Sequence, residues 1–140
     1  MQIKDVMTRD VEVIEADATV QEAAEVMKRE DIGILPVLDG QTLIGTLTDR
    51  DIVLRGVAEG RDLRSTRVSE ILSREVMYCF EDQEIEEAAT LMGDKQIRRL
   101  VILDHEQRLA GIVSLGDLAV DSPNKKPAAD VLNRVSRPGR

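Results

Sequence analysis

Aromatic side chains are almost missing from this sequence. Its 140 residues include one Tyr, one Phe and no Trp. That excludes a surface that reads exposed bases through a row of stacked rings, and it requires an aliphatic core. Cysteine and histidine occur once each, as Cys79 and His105. One thiol excludes an internal disulfide and a cysteine zinc cage. One imidazole excludes a multi-histidine metal site, so no metal is expected. There is no GxxxxGK phosphate loop, and nothing else supplies a catalytic set, so the chain does not read as an enzyme. No apolar run approaches the roughly 18 residues that span a bilayer. The opening Met-Gln-Ile-Lys-Asp lacks a signal peptide's apolar stretch. The expected location is cytoplasmic, away from membranes.

Charge of one sign is also scarce, but unevenly. Lys plus Arg is 19 and Asp plus Glu is 27, a net charge of −8. Residues 122–140 carry Lys125, Lys126, Arg134, Arg137 and Arg140 against Asp130 and are net +4, which leaves −12 on the rest. An acidic body repels nucleic acid and anionic lipid, so nucleic acid is not an expected partner. Residues 121–140 read as a flexible basic tail, with room for an amphipathic turn at 128–135.

What the chain does have is a copy of itself. With an offset of 65, Val11 meets Val76, Asp17 meets Asp82 and Ala23-Ala24 meets Ala88-Ala89. Met27 meets Met92, Ile32 meets Ile97 and Leu35 meets Leu100. One extra turn residue then raises the offset to 66, so that Gly45 meets Gly111 and Asp51 meets Asp117. Two repeats result, at 3–60 and 67–120, joined through 58–67.

Each repeat reads β-α-β-β-α. The short apolar segments Val11-Glu12-Val13-Ile14 and Val76-Met77-Tyr78-Cys79 suit first strands. Asp17 and Thr19 offer N-cap chemistry, and Glu22 completes a capping box with Thr19. Val20, Ala23, Ala24, Val26 and Met27 follow at helical spacing, as do Ile85, Ala88, Ala89, Leu91 and Met92. A strand through Leu35-Pro36-Val37 or Leu100-Val101-Ile102 comes next, then a polar turn, a third strand and a short helix near Asp49 or Gly116. Sixty residues with so few aromatics make a thin core. The expected fold class is therefore α/β (α+β): two pseudo-symmetric repeats packed sheet to sheet as one compact module.

The third strands end in the same pattern, Gly-x-x-(Thr/Ser)-x-x-Asp: Gly45, Thr48 and Asp51, then Gly111, Ser114 and Asp117. The pattern suits a nucleoside phosphate. Glycine lets a flat group approach the backbone. A hydroxyl at a strand-to-helix junction can hold a phosphate oxygen. A carboxylate three residues on can accept bonds from both ribose hydroxyls. The same residues also serve as plain helix caps with first-turn acids, and both readings stand at this point.

These residues, with Asp-Val-Met-Thr at 5–8, the Ala-Ala-x-x-Met helix and Leu35-Pro36-Val37 before Asp39, resemble a tandem pair of cystathionine-β-synthase-type (CBS) domains, a Bateman module. The resemblance covers about residues 3–120 and extends to small stand-alone CBS proteins. It implies adenine in an apolar slot between the repeats. Asp51 and Asp117 would then meet ribose, and Thr48 and Ser114 phosphate. Ile34, Leu35 and Pro36, with Arg99, Leu100 and Val101, would line the slots. Val13 and Tyr78 would floor them. Val101 stands where proline is usual, and Arg98-Arg99 replaces Gly33-Ile34, so the two sites should differ. Arg50, Arg98 and Arg99 are where phosphate would be welcome, and the second site is favoured for it.

The implied function is regulatory: sensing an adenine nucleotide such as AMP, ADP, ATP or NAD, with no required cofactor, and signalling to an unknown effector protein. The alternative is a structural or interaction module with empty or vestigial sites. A homodimer is implied through the helices, with Val20-Ala24-Met27 and Ile85-Ala89-Met92 as the available faces. Cys79 reads as core and His105 as a solvated turn residue.

Overall fold

Each repeat of the sequence becomes one three-stranded sheet. The computed structural model describes residues 1–121. In the first repeat, β1 (Ile14–Glu15) is followed by α1 (Val20–Glu30), β2 (Ile34–Asp39), β3 (Thr42–Thr48) and α2 (Asp49–Asp51), which runs on as a π-helix at Ile52–Val57. In the second, β4 (Tyr78–Phe80) precedes α3 (Ile85–Lys95), β5 (Arg99–Leu103), β6 (Leu109–Ser114) and α4 (Leu115–Asp121). The sheet orders are β1-β2-β3 and β4-β5-β6. In both, the first strand is parallel to the second and the third antiparallel to it. The expected β-α-β-β-α unit is present twice. The basic tail and the amphipathic turn at 128–135 lie outside the described residues.

The local causes match in part: the C-termini of α1 and α3 end alike, but only α1 has a side-chain cap at its N-terminus. Thr19 caps α1 through its side chain while Glu22 reaches back to the Thr19 N–H, satisfying donors that the first turn leaves unpaired. Asp17 is not the cap. Asp31 and Gln96 end α1 and α3 in the left-handed region, each at φ 54°. The first strands lie further along the chain than the apolar segments suggested. Val13 precedes β1, and β4 begins only at Tyr78. Their register follows the second strand, with Ile14 opposite Val37 and Tyr78 opposite Val101.

Sequence order and spatial grouping differ. One compact unit is continuous, Glu12–Val76; the other joins Met1–Val11 to the chain from Met77 onward. We call them the continuous and the split unit. In the split unit, Ile3 N–H donates to the Gln83 carbonyl at 2.8 Å, and Thr8 and Ile112 exchange two backbone bonds at 2.8 and 3.0 Å. In the continuous unit, Val68 N–H donates to the Ala18 carbonyl at 2.8 Å, and Ser73 and Thr46 exchange two bonds, both 2.9 Å. Each unit is thus closed by the segment that precedes the other repeat. The stretch 58–67, expected as a simple connection, packs on the continuous unit: Thr66 is buried and its carbonyl accepts from Val20 N–H at 2.9 Å.

The cores are aliphatic, as the composition required. Val20, Ala23, Met27, Leu35, Val37, Leu47, Val68 and Ile71 fill one; Ile3, Ile85, Ala88, Met92, Leu100, Ile102, Val113 and Leu118 fill the other. This corrects the expected dimer faces. Val20, Met27, Ile85, Ala89 and Met92 are buried within their own units and are not available to a partner. Among the described residues, the large apolar side chains left exposed on a helix are Val53, Leu54 and Val57.

Candidate functional site

The strand-to-helix junctions are built identically. Thr48 Oγ1 accepts from Asp51 N–H at 3.1 Å, and Asp51 Oδ2 accepts from Thr48 N–H at 2.9 Å. Ser114 Oγ accepts from Asp117 N–H at 3.1 Å, and Asp117 Oδ2 accepts from Ser114 N–H at 2.8 Å. These are reciprocal caps, so the plain capping role of all four residues is real. It also turns each carboxylate to a defined orientation and leaves its Oδ1 without a main-chain bond.

At Asp51 that oxygen is already engaged. Ser73 Oγ donates to Asp51 Oδ1 at 3.2 Å, with Oδ2 at 3.4 Å, and Asp51 is only 9% exposed. Asp117 is less buried. Thr8 occupies the place of Ser73 in the split unit, and none of its side-chain atoms bonds to Asp117 or to any other described residue. Ser73 was not among the residues singled out from sequence. The signal was there, because Ile3–Thr8 recurs as Val68–Ser73 at the offset of 65.

The glycines serve a different purpose from the expected one. A Cβ on Gly45 would lie 2.4 Å from the Ser73 carbonyl oxygen, and one on Gly111 would lie 2.5 Å from that of Thr8. The close approach that glycine permits is taken by the chain's own closing segment, not left for a ligand.

Strand alternation sorts the remaining candidates. Leu35 and Leu100 are 0% and 1% exposed and belong to the two cores, so they do not line a slot on the other face. Ile34 and Pro36, like Arg99 and Val101, point to the opposite side of their sheets from these core residues. Val13 is half-buried just before β1.

Around Ser114 a groove of about 420 Å³ is lined by Arg98, Arg99, Ser114, Leu115, Gly116 and Ala119. Both arginines are exposed, and neither makes an ion pair with a described residue. The continuous unit has a groove of about 320 Å³, lined by Asp49, Arg50, Val53 and Leu54. There the Arg98 position is Gly33, packed so closely on Asp49 that a Cβ would lie 2.9 Å from the Asp49 carboxylate. Asp49 Oδ1 accepts from the Arg50 N–H at 2.9 Å. One junction is cationic and the other carries an added carboxylate.

The few rings gather at β4. Tyr78 is 43% exposed and meets Phe80 edge-on with centroids 5.6 Å apart. Phe80 stacks on His105 at 4.9 Å. His105 is not merely solvated: its Nε2 lies 2.6 Å from Asp82 Oδ2. That hydrogen bond, reinforced by opposite charge, raises the imidazole above its ordinary value and lowers the carboxyl. Cys79 is buried, and desolvation pushes its thiol up to about 11, which suits a core residue and not a reactive one.

Residues 3–57 and 68–121 each match the model of the CBS domain. The chain belongs to the CBS-domain family. It is 44% identical over 134 residues to the CBS domain-containing protein YhcV of Bacillus subtilis, covering 96% of this chain and 94% of that one. Among solved structures it is similar to Hypoxic Response Protein I, crystallised with two coordinated zinc ions, at TM-score 0.76 and 34% identity over 85% of this chain and 97% of that one. It is also similar to a CBS domain pair solved with 5′-methylthioadenosine and S-adenosyl-L-methionine, at TM-score 0.75 and 25% identity over 85% of this chain and 93% of that one. In this CBS protein, no three His, Cys, Asp or Glu side chains gather for a metal ion among the described residues. No helix among them is long and apolar enough to cross a membrane. The paired Gly-x-x-(Thr/Ser)-x-x-Asp motifs are thus the matching corners of two CBS repeats.

Proposed function

We propose that this CBS-domain chain is a non-catalytic regulatory module that binds an adenine nucleotide and passes the bound state to a partner protein. The observation that carries the reading is the groove of the split unit, which two unpaired arginines and Ser114 line, with Asp117 held to Ser114 by their reciprocal cap. Arg98 and Arg99 supply planar donors for phosphate. Asp117 supplies an acceptor for ribose hydroxyls. Tyr78, exposed on β4 opposite Val101 of β5, offers apolar surface for a base. The adenosine-bearing ligands of the related CBS pair support the same ligand class. Nucleotide binding alters the signal only by its preference for one conformation over another, so the output scales with that difference and not with affinity alone.

The competing reading, an interaction module with unused sites, is favoured by one fact: all four motif side chains already accept from main-chain N–H groups as caps. Calorimetry and thermal shift with AMP, ADP, ATP and NAD at millimolar concentration separate the two. The regulatory reading expects heat and a raised melting temperature with at least one of them. Arg98→Ala with Arg99→Ala should weaken binding at least about tenfold, the scale of one lost charge-assisted bond, and weaken ATP more than adenosine. No heat and no shift with the whole panel would overturn it.

A further inference from the structure

The two junctions share a backbone but not a free acceptor. In both, the aspartate's Oδ2 is held by the main chain of its own cap. In the continuous unit Oδ1 is taken as well, by the Ser73 hydroxyl at 3.2 Å. We propose that Ser73 occupies on Asp51 the place a ligand hydroxyl would take, so that the chain binds one nucleotide, at Asp117, while the Asp51 junction is held closed from within. This rests on the ribose-to-carboxylate reading above and makes Ser73 a specificity-determining residue.

Three observations agree. Thr8, the counterpart of Ser73, makes no side-chain hydrogen bond with a described residue, so Asp117 has no such occupant. Asp51 is 9% exposed, whereas Asp117 is half-buried beside a groove that Ser114 lines. The charges act in the same direction: the Asp49 carboxylate sits against Gly33 in one unit, where the other presents Arg98 and Arg99. Ser73 is tethered, because Thr46 holds its N–H and carbonyl at 2.9 Å each. A diffusing diol must therefore displace a hydroxyl that is already in position. Removing that hydroxyl should gain at least about tenfold in affinity at the Asp51 junction, or about 1.4 kcal/mol.

The test is an AMP titration of wild type, Ser73→Ala and Asp117→Asn, followed by the backbone amide resonances of Thr48 and Ser114. The Thr46 and Ser73-position amides report that Ser73→Ala keeps the fold, since their mutual bonds are main-chain. The expected result is movement at Ser114 alone in wild type, a second saturable movement at Thr48 in Ser73→Ala at least about tenfold tighter than any in wild type, and loss of the Ser114 movement in Asp117→Asn. Equal movement at both junctions in wild type, or a Thr48 junction still silent in Ser73→Ala, overturns the role of Ser73 and leaves the nucleotide reading standing. Silence at both junctions in all three proteins overturns both.

Discussion

The continuous and split units share their sheet topology and junction backbone and carry different chemistry on them. Both place a capped hydroxyl and carboxylate after the third strand, and both fit a closing segment against a strand glycine. What differs is charge and occupancy: Gly33, Asp49, Arg50 and Ser73 on one side, and Arg98, Leu115, Gly116 and Thr8 on the other. Main-chain bonds need no particular side chain, so the two units could diverge at these positions without losing their fold. The comparison separates the residues that keep the shape from those that make the two junctions chemically different.

The largest effect should come from the shared part. Leu35→Ala and Leu100→Ala remove equivalent side chains that are 0% and 1% exposed. Each should cost about 2–5 kcal/mol in urea unfolding, and by similar amounts. A cost below 1 kcal/mol for only one of them would break the equivalence of the cores. Next, Gly45→Ala forces a methyl to within 2.4 Å of a backbone oxygen, and Gly111→Ala to within 2.5 Å. Overpacking of this kind costs about 1–3 kcal/mol. Gly45→Ala should cost the same or more, since its second contact is a core leucine at 2.5 Å, against the flexible Met7 Sδ at 2.9 Å for Gly111. Neutral behaviour at either glycine would show that the closing segment can shift.

The smallest effect belongs to the split unit alone, because the first repeat has no histidine. The raised His105 stabilises fully below its ordinary value of 6.5 and loses that contribution as pH rises through its folded value. The lowered Asp82 stabilises above its ordinary 3.8 and loses that as pH falls through its folded value. The pair is therefore most effective between those two ordinary values. His105→Gln should lower the melting temperature most near about pH 5 and progressively less on the alkaline side of neutrality. A difference independent of pH would assign the contribution to ring stacking on Phe80.

Much of this was legible in the sequence, for identifiable reasons. Thr19 and Glu22 announce α1 because capping acts through side chains three residues apart. The two junction motifs stand out because each uses a glycine, a hydroxyl and an acid at fixed spacing. The exchange of closing segments was not legible, because it is made by backbone bonds such as Ile3 to Gln83 and Val68 to Ala18. Gly45 and Gly111 signal close approach by something; sequence does not say whether that is a ligand or the chain itself. Leu35 and Leu100 were misplaced because an apolar strand buried on both sides hides its alternation. His105 looked solitary because Asp82 is 23 residues away.

The exchanged segments also set an order of assembly. During synthesis the continuous unit can finish as soon as Val76 has emerged, since every strand and closing bond it needs is in Glu12–Val76. Met1–Val11 is made earlier still, yet its partners Glu81, Gln83 and Ile112 come last. It must wait while the continuous unit folds, and it then closes a loop of many tens of residues, a late and slow class of contact. The half of the molecule that carries the two unpaired arginines is the half that is completed last.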